Sequence, residues 1–161
     1  MFVAAAARAA FADRARHTAP RASDADERLP PAALDASRID VAALARMALS
    51  SLAAAAHGRR VKLQMAVEPM LTAHSDIAAC QACVRDLLAG AISRAESGVL
   101  LTAMRHDAGI DIELLDDGAT APTGAIRLPG AHTLPSGATV SGEFLPARGS
   151  KVLLHLPGPP A

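Results

Sequence analysis

The chain has 161 residues, and its 16 Lys or Arg are balanced by 16 Asp or Glu, so the length suits one domain and there is no net field for a nucleic-acid backbone or an anionic membrane. Hydrophobic residues make up 51% but aromatics only 2%, which implies an aliphatic, alanine-rich core and leaves no platform for stacking bases. Cys80 and Cys83 make no disulfide framework, and the apolar opening at 2–7 lacks the basic start of a secretory signal, so a cytoplasmic protein is expected.

Residues 2–16 are rich in Ala and Arg and predict a short helix that Pro20 ends. Asp, Arg, Ser and Pro without any period fill 17–38, which reads as a linker, so 1–38 form an arm and the compact domain runs from Ile39 to Ala161. Asp40 is placed to cap a helix whose apolar positions Val41, Leu44, Ala45, Ala48, Leu52 and Ala55 follow three/four spacing up to Gly58. Val61, Leu63, Met65 and Val67 alternate with less apolar residues, the period of a strand, and Pro69 ends it. A short extended piece, Met70 to Ala73, leads to Ser75 and Asp76, either of which can cap a second helix with an apolar face of Ile77, Cys80, Val84, Leu87, Leu88, Ala91 and Ile92.

Two strands follow, Val99 to His106 and Ile110 to Leu115, joined by Asp107, Ala108 and Gly109 at hairpin length. After Asp116, Asp117 and Gly118 comes a Gly, Pro and Thr-rich stretch to Gly137 without a strong period, and then a second hairpin of Ala138 to Leu145 and Lys151 to Leu156. This order predicts an α+β fold with helices on one face of a mostly antiparallel sheet.

Four landmarks occur in one order: Ile39-Asp40-Val41 opening a helix, His74-Ser75-Asp76-Ile77 opening another, Asp86-Leu87-Leu88-Ala89-Gly90-Ala91-Ile92 within it, and Ile112-Glu113-Leu114-Leu115-Asp116-Asp117-Gly118 ending a strand. With the closing run from Gly149 to Pro157, they resemble the ATP-binding domain shared by sensor histidine kinases, anti-sigma-factor kinases and gyrase-type topoisomerases, the GHKL or Bergerat fold. The resemblance covers roughly residues 39–157 and implies a two-layer α/β sandwich with a mixed, mostly antiparallel sheet covered on one face by helices. It implies that Asp116 accepts a hydrogen bond from the adenine amino group, that Gly118 lets the backbone approach the base, and that the helix around Gly90 faces magnesium and the phosphates. The cofactors so implied are ATP and magnesium.

The sequence departs from that pattern in three places. The second asparagine of the family's asparagine box, a magnesium ligand, falls at Gly90, which has no side chain to offer, and the basic residue expected just beyond falls at Ser93, with Arg94 one place late. The second glycine of the Asp-x-Gly-x-Gly pattern falls at Thr120, and residues 119–137 are too few for the family's helical lid, so a shortened ATP lid is expected. Asp86, one helical turn before Gly90, is the candidate catalytic carboxylate, either helping a metal or acting as a general base.

Cys80 and Cys83 have the spacing of a metal or redox pair, but both fall on or beside an apolar helix face without a second ligand pair, so they read as core residues and no metal site is assigned. Of the six histidines, none sits in the setting of a phosphoacceptor; His17, before Thr18-Ala19-Pro20, comes nearest. The resulting expectation is a degenerate kinase-like domain in bacterial-type signal transduction, with weak or no ATP binding. Its partner would be a response regulator, a kinase or a sigma-factor regulator, or a second copy in a homodimer, with no role for nucleic acid or membrane. The alternatives are an active ATP-dependent small protein kinase and a phosphotransfer protein built on an inactive kinase domain.

Overall fold

The computed structural model describes residues 37–107, 109–118, 126–145 and 149–158. The helix expected at 2–16, with His17, and residues 119–125 of the shortened lid lie outside them.

Each helix starts at an aspartate in extended conformation. Asp40 accepts the Ala43 N–H at 3.0 Å at the head of α1 (Val41–Gly58), and Asp76 accepts those of Ala78 and Ala79 at 2.8 and 3.1 Å at the head of α2 (Ile77–Arg94). In each case a side-chain oxygen satisfies N–H groups that the first turn leaves without an intrahelical acceptor. Of the two candidates at the second helix, Asp76 is therefore the cap, whereas Ser75 is buried.

The strands form two sheets. β1 (Ser37–Asp40) pairs antiparallel with β3 (Thr72–Ser75), so Ser37 and Arg38, at the end of the stretch read as linker, already belong to a sheet. The larger sheet has the order β2, β4, β5, β7, β6, with β2 (Lys62–Val67), β4 (Gly98–His106), β5 (Gly109–Asp116), β6 (Thr139–Leu145) and β7 (Gly149–Pro157). Only β2 and β4 run parallel, and the chain between them passes through β3 and α2, the long crossover a parallel pair requires.

One face of this sheet is buried. Val99, Leu101 and Ala103 of β4, Ile110, Ile112 and Leu114 of β5, and Val152, Leu154 and Leu156 of β7 form a core with Val41, Leu44, Ala45 and Ala48 of α1 and the Cys80 to Ile92 face of α2. The two-layer α+β sandwich expected from the sequence is thus present. Three details differ. Ile77 is 40% exposed at the first turn of α2, Cys83 is buried instead, and the C-terminal half of α1 turns Ala56 rather than Ala55 inward. Arg59, just past α1, donates to the carbonyls of Ile92 at 3.1 Å and Ser93 at 2.9 Å, which ties the end of α1 to the free C-terminal carbonyls of α2.

The cysteines are core residues, as their helix positions suggested. Burial raises both thiols, Cys83 up to about 11, which favours the protonated form. α1 is long and apolar enough by composition to cross a bilayer, yet Val41, Leu44, Ala45 and Ala48 are packed in the core, as in the core helix of a globular domain.

Replacing Asp76 by Ala removes an acceptor for two N–H groups and should lower unfolding free energy by about 1 kcal/mol in urea titration, without changing the slope of the transition.

Candidate functional site

The residues singled out by the sequence lie around the end of β5 and the C-terminal half of α2. Alternation along β5 puts Asp116 on the same face as Ile112 and Leu114, so the strand's last side chain is a carboxylate directed into the helix-facing layer, only 4% exposed. A buried carboxylate needs donors or a counter-charge. The register supplies the first, because Ser150 stands opposite Asp116 on β7 and its hydroxyl donates to Oδ2 at 2.5 Å. The last residue of α2 supplies the second. Arg94 Nε donates to Asp116 Oδ2 at 3.1 Å and to Ser150 Oγ at 3.0 Å, and Nη2 lies 2.9 Å from the same Oδ2. Nη2 is buried without a well-directed acceptor, so its contact is ionic while Nε makes the directed bonds. The other oxygen, Oδ1, accepts the Gly118 N–H at 3.3 Å.

Two glycines make this arrangement sterically feasible. A Cβ on Gly118 would stand 2.6 Å from the carbonyl oxygen of Arg94, so the glycine allows the chain leaving β5 to pass close to the end of α2. Gly149 has φ of +97°, and a Cβ there would stand 1.7 Å from the Asp116 carbonyl oxygen, which leaves no room for any side chain. Gly90 differs from both. The nearest atom to a Cβ built on it is Arg94 Nη1 at 3.3 Å, the tip of the side chain one turn on.

Asp86 is not part of this network. It lies on the exposed surface of α2, and its described ion pair is with the adjacent Arg85 at 3.5 Å, both side chains being more than half exposed. Asp117, which the sequence reading passed over, has a structural task. It accepts the backbone N–H groups of Glu96, Ser97 and Gly98 at 3.0 Å, as well as the Ser97 hydroxyl, and so pins the turn between α2 and β4. Its slight burial pushes the carboxyl up, but the hydrogen bonds from Ser97, Gly98 and Glu96 outweigh that and hold it well below the ordinary range.

The implied cofactors do not fit these residues as they stand. Both oxygens of Asp116 are engaged within the chain, and Gly90 has no side-chain oxygen for magnesium. Among the described residues, no three His, Cys, Asp or Glu side chains converge to hold a metal ion. A groove of about 280 Å³ lies between the helices, and a cleft of about 350 Å³ over β2, β4 and β5 is lined in part by Asp116 and Asp117; Asp86, Gly90, Arg94 and Gly118 line neither. The described part of the lid region, 126–138, contains one short 3-10 turn, Ala131–Thr133, and no α-helix.

Two helices on one face of a mixed sheet, with a buried aspartate closing the central strand, define a kinase-type nucleotide-domain architecture. The fold is that of the histidine-kinase-like GHKL ATPase domain. The catalytic domain of the histidine kinase ThkA, in a nucleotide-free form, superposes with a TM-score of 0.63 at 11% identity, over 76% of this chain and 95% of that one. The ATP-binding domain of PrrB from Mycobacterium tuberculosis gives 0.62 at 25% identity, over 78% and 99%. Full-length ShkA in complex with AMPPNP gives 0.65 at 21% identity over 80% of this chain, which spans 32% of ShkA. No family model and no curated protein matches the sequence, so the likeness is carried by the backbone.

The sequence reading missed the roles of Arg94 and Ser150. A signal for the first was present, since Arg94 is one helical turn beyond a glycine on the same face, but its partner across the fold is set only by how α2 packs on the sheet.

Asp117 gives a pH dependence of defined sign. Its folded value is depressed, so its contribution to stability is complete above its ordinary value of 3.8 and is lost as pH falls below that. Unfolding free energy should therefore drop between about pH 5 and pH 3 more steeply in the native chain than in Asp117→Asn, as measured by denaturant titration at each pH.

Proposed function

We propose that this domain is a kinase-like signalling module that acts through protein contact and binds ATP weakly or not at all. The observation that carries this reading is the engagement of Asp116. A carboxylate suited to reading an adenine amino group has Oδ2 held by Arg94 and Ser150 and Oδ1 by the Gly118 N–H, in a position 4% exposed. Gly90 supports it, since the helix position implied to ligate magnesium has no side chain. Partners of the response-regulator, kinase or sigma-factor-regulator type, a cytoplasmic setting and homodimer formation are part of the same reading.

Calorimetric titration with ATP, with and without magnesium, should give no saturable heat up to millimolar nucleotide. Magnesium-dependent micromolar binding that Asp116→Asn abolishes would replace this reading with that of an active kinase.

The buried pair also predicts a stability effect. Asp116→Ala strands the Arg94 charge inside the layer and should cost about 3–5 kcal/mol of unfolding free energy. Arg94→Ala should be destabilising as well, because it leaves the Asp116 carboxylate, whose side chain is 1% exposed, without its counter-charge.

A further inference from the structure

Two departures of the sequence from the kinase pattern meet in one side chain. The helix position that would carry a magnesium ligand is Gly90, and the side chain nearest to it is Arg94, whose other end holds Asp116. We infer that Arg94 is an internal ligand: its guanidinium takes the place at Asp116 that the exocyclic amino group of a purine would take, and Gly90 is the residue that admits it. The inference rests on the reading of Asp116 as an amino-group acceptor and adds the device that holds the site closed.

The competition is unequal for three reasons. A guanidinium N–H and a purine amino N–H are both donors to the same ionised carboxylate, but the guanidinium adds a full positive charge to its hydrogen bonds, whereas adenine is neutral. Arg94 is also tethered, so it meets Asp116 at the high effective concentration of an intramolecular partner, whereas a free ligand does not. Finally, a ligand that displaced Arg94 would leave a buried cation without its counter-charge.

Gly90 enters through space. With Nη1 only 3.3 Å from where its Cβ would be, any larger residue at 90 presses on the guanidinium. A Cβ alone would ask the guanidinium tip to shift by a few tenths of an ångström, and a longer side chain at 90 would compete with it for the same space. The same contacts would also suit a plain staple between α2, β5 and β7, and that simpler role predicts that removal of Arg94 costs stability and opens nothing.

Adenosine is the suitable probe, because it lacks the phosphates for which magnesium would be needed. Binding is measured by ligand-observed NMR to the full chain and to Arg94→Ala, Arg94→Ala with Asp116→Asn, and Gly90→Gln, each checked for native circular dichroism. The native chain should show no saturable binding. Arg94→Ala should bind adenosine at least about tenfold more tightly, the double variant should lose that gain, and inosine, with a carbonyl in place of the amino group, should not bind either. Gly90→Gln crowds the guanidinium without deleting it and should give a smaller gain in the same direction; it decides the matter if Arg94→Ala does not fold. Folded Arg94→Ala or, failing that, folded Gly90→Gln that binds adenosine no better than the native chain overturns the internal ligand while leaving the proposed function in place. A gain that persists when Asp116 is Asn also overturns it. Saturable ATP binding by the native chain overturns the proposed function itself, whatever the variants do.

Discussion

A carboxylate at the end of a central strand, turned inward by the alternation of β5, sets the terms for everything around it. Buried at Asp116, it requires a cation and donors, and the fold supplies them from three elements: Arg94 from the end of α2, Ser150 from β7 and the Gly118 N–H from the segment beyond β5. Those contacts join α2 to the sheet; the absence of a Cβ at Gly118 lets the chain beyond β5 pass the end of α2, and its absence at Gly149 lets the start of β7 lie against the backbone of Asp116. Asp117 completes the junction by holding the turn into β4. Neighbouring aspartates therefore perform separate tasks, one satisfying a charge inside the layer and the other ordering a loop at its edge.

At this junction the requirements of the fold and those of a nucleotide site can be told apart. Fold depends on the apolar faces of α1, α2 and the sheet, which are intact here and superpose on histidine-kinase domains at TM-scores of 0.62 to 0.65. Binding depends on a few polar groups being free to meet a ligand. An acceptor already satisfied inside the protein offers little to a neutral donor arriving from water, because the exchange gains no hydrogen bond and separates an ion pair.

Secondary structure was largely legible in the residues. The caps at Asp40 and Asp76, the periods of α1 and α2, and the hairpin of β4 and β5 all depend on neighbours within a few positions, so the information is local. β1 was missed as a strand because four residues ending in Asp40 have no period to read, and the pairing with β3 joins segments about 35 positions apart. Cys80 and Cys83 were read correctly as core residues for the same local reason, their place on an apolar helix face.

The candidate site was legible in membership more than in arrangement. Asp116, Gly118 and Gly90 were found as positions, and the sequence by itself determined that position 90 has no ligand to offer, since a missing side chain cannot be restored by folding. Only the tertiary structure decided what Asp116 touches, because its partners lie 22 and 34 residues away and are selected by helix packing and strand register. It also showed Asp86 on the exposed surface of α2, one turn before Gly90 and paired with Arg85. Chain-local physics sets the elements and the inventory of chemical groups; which of those groups satisfy one another is settled where the layers meet, since a buried charge bonds to whatever the packing brings within reach.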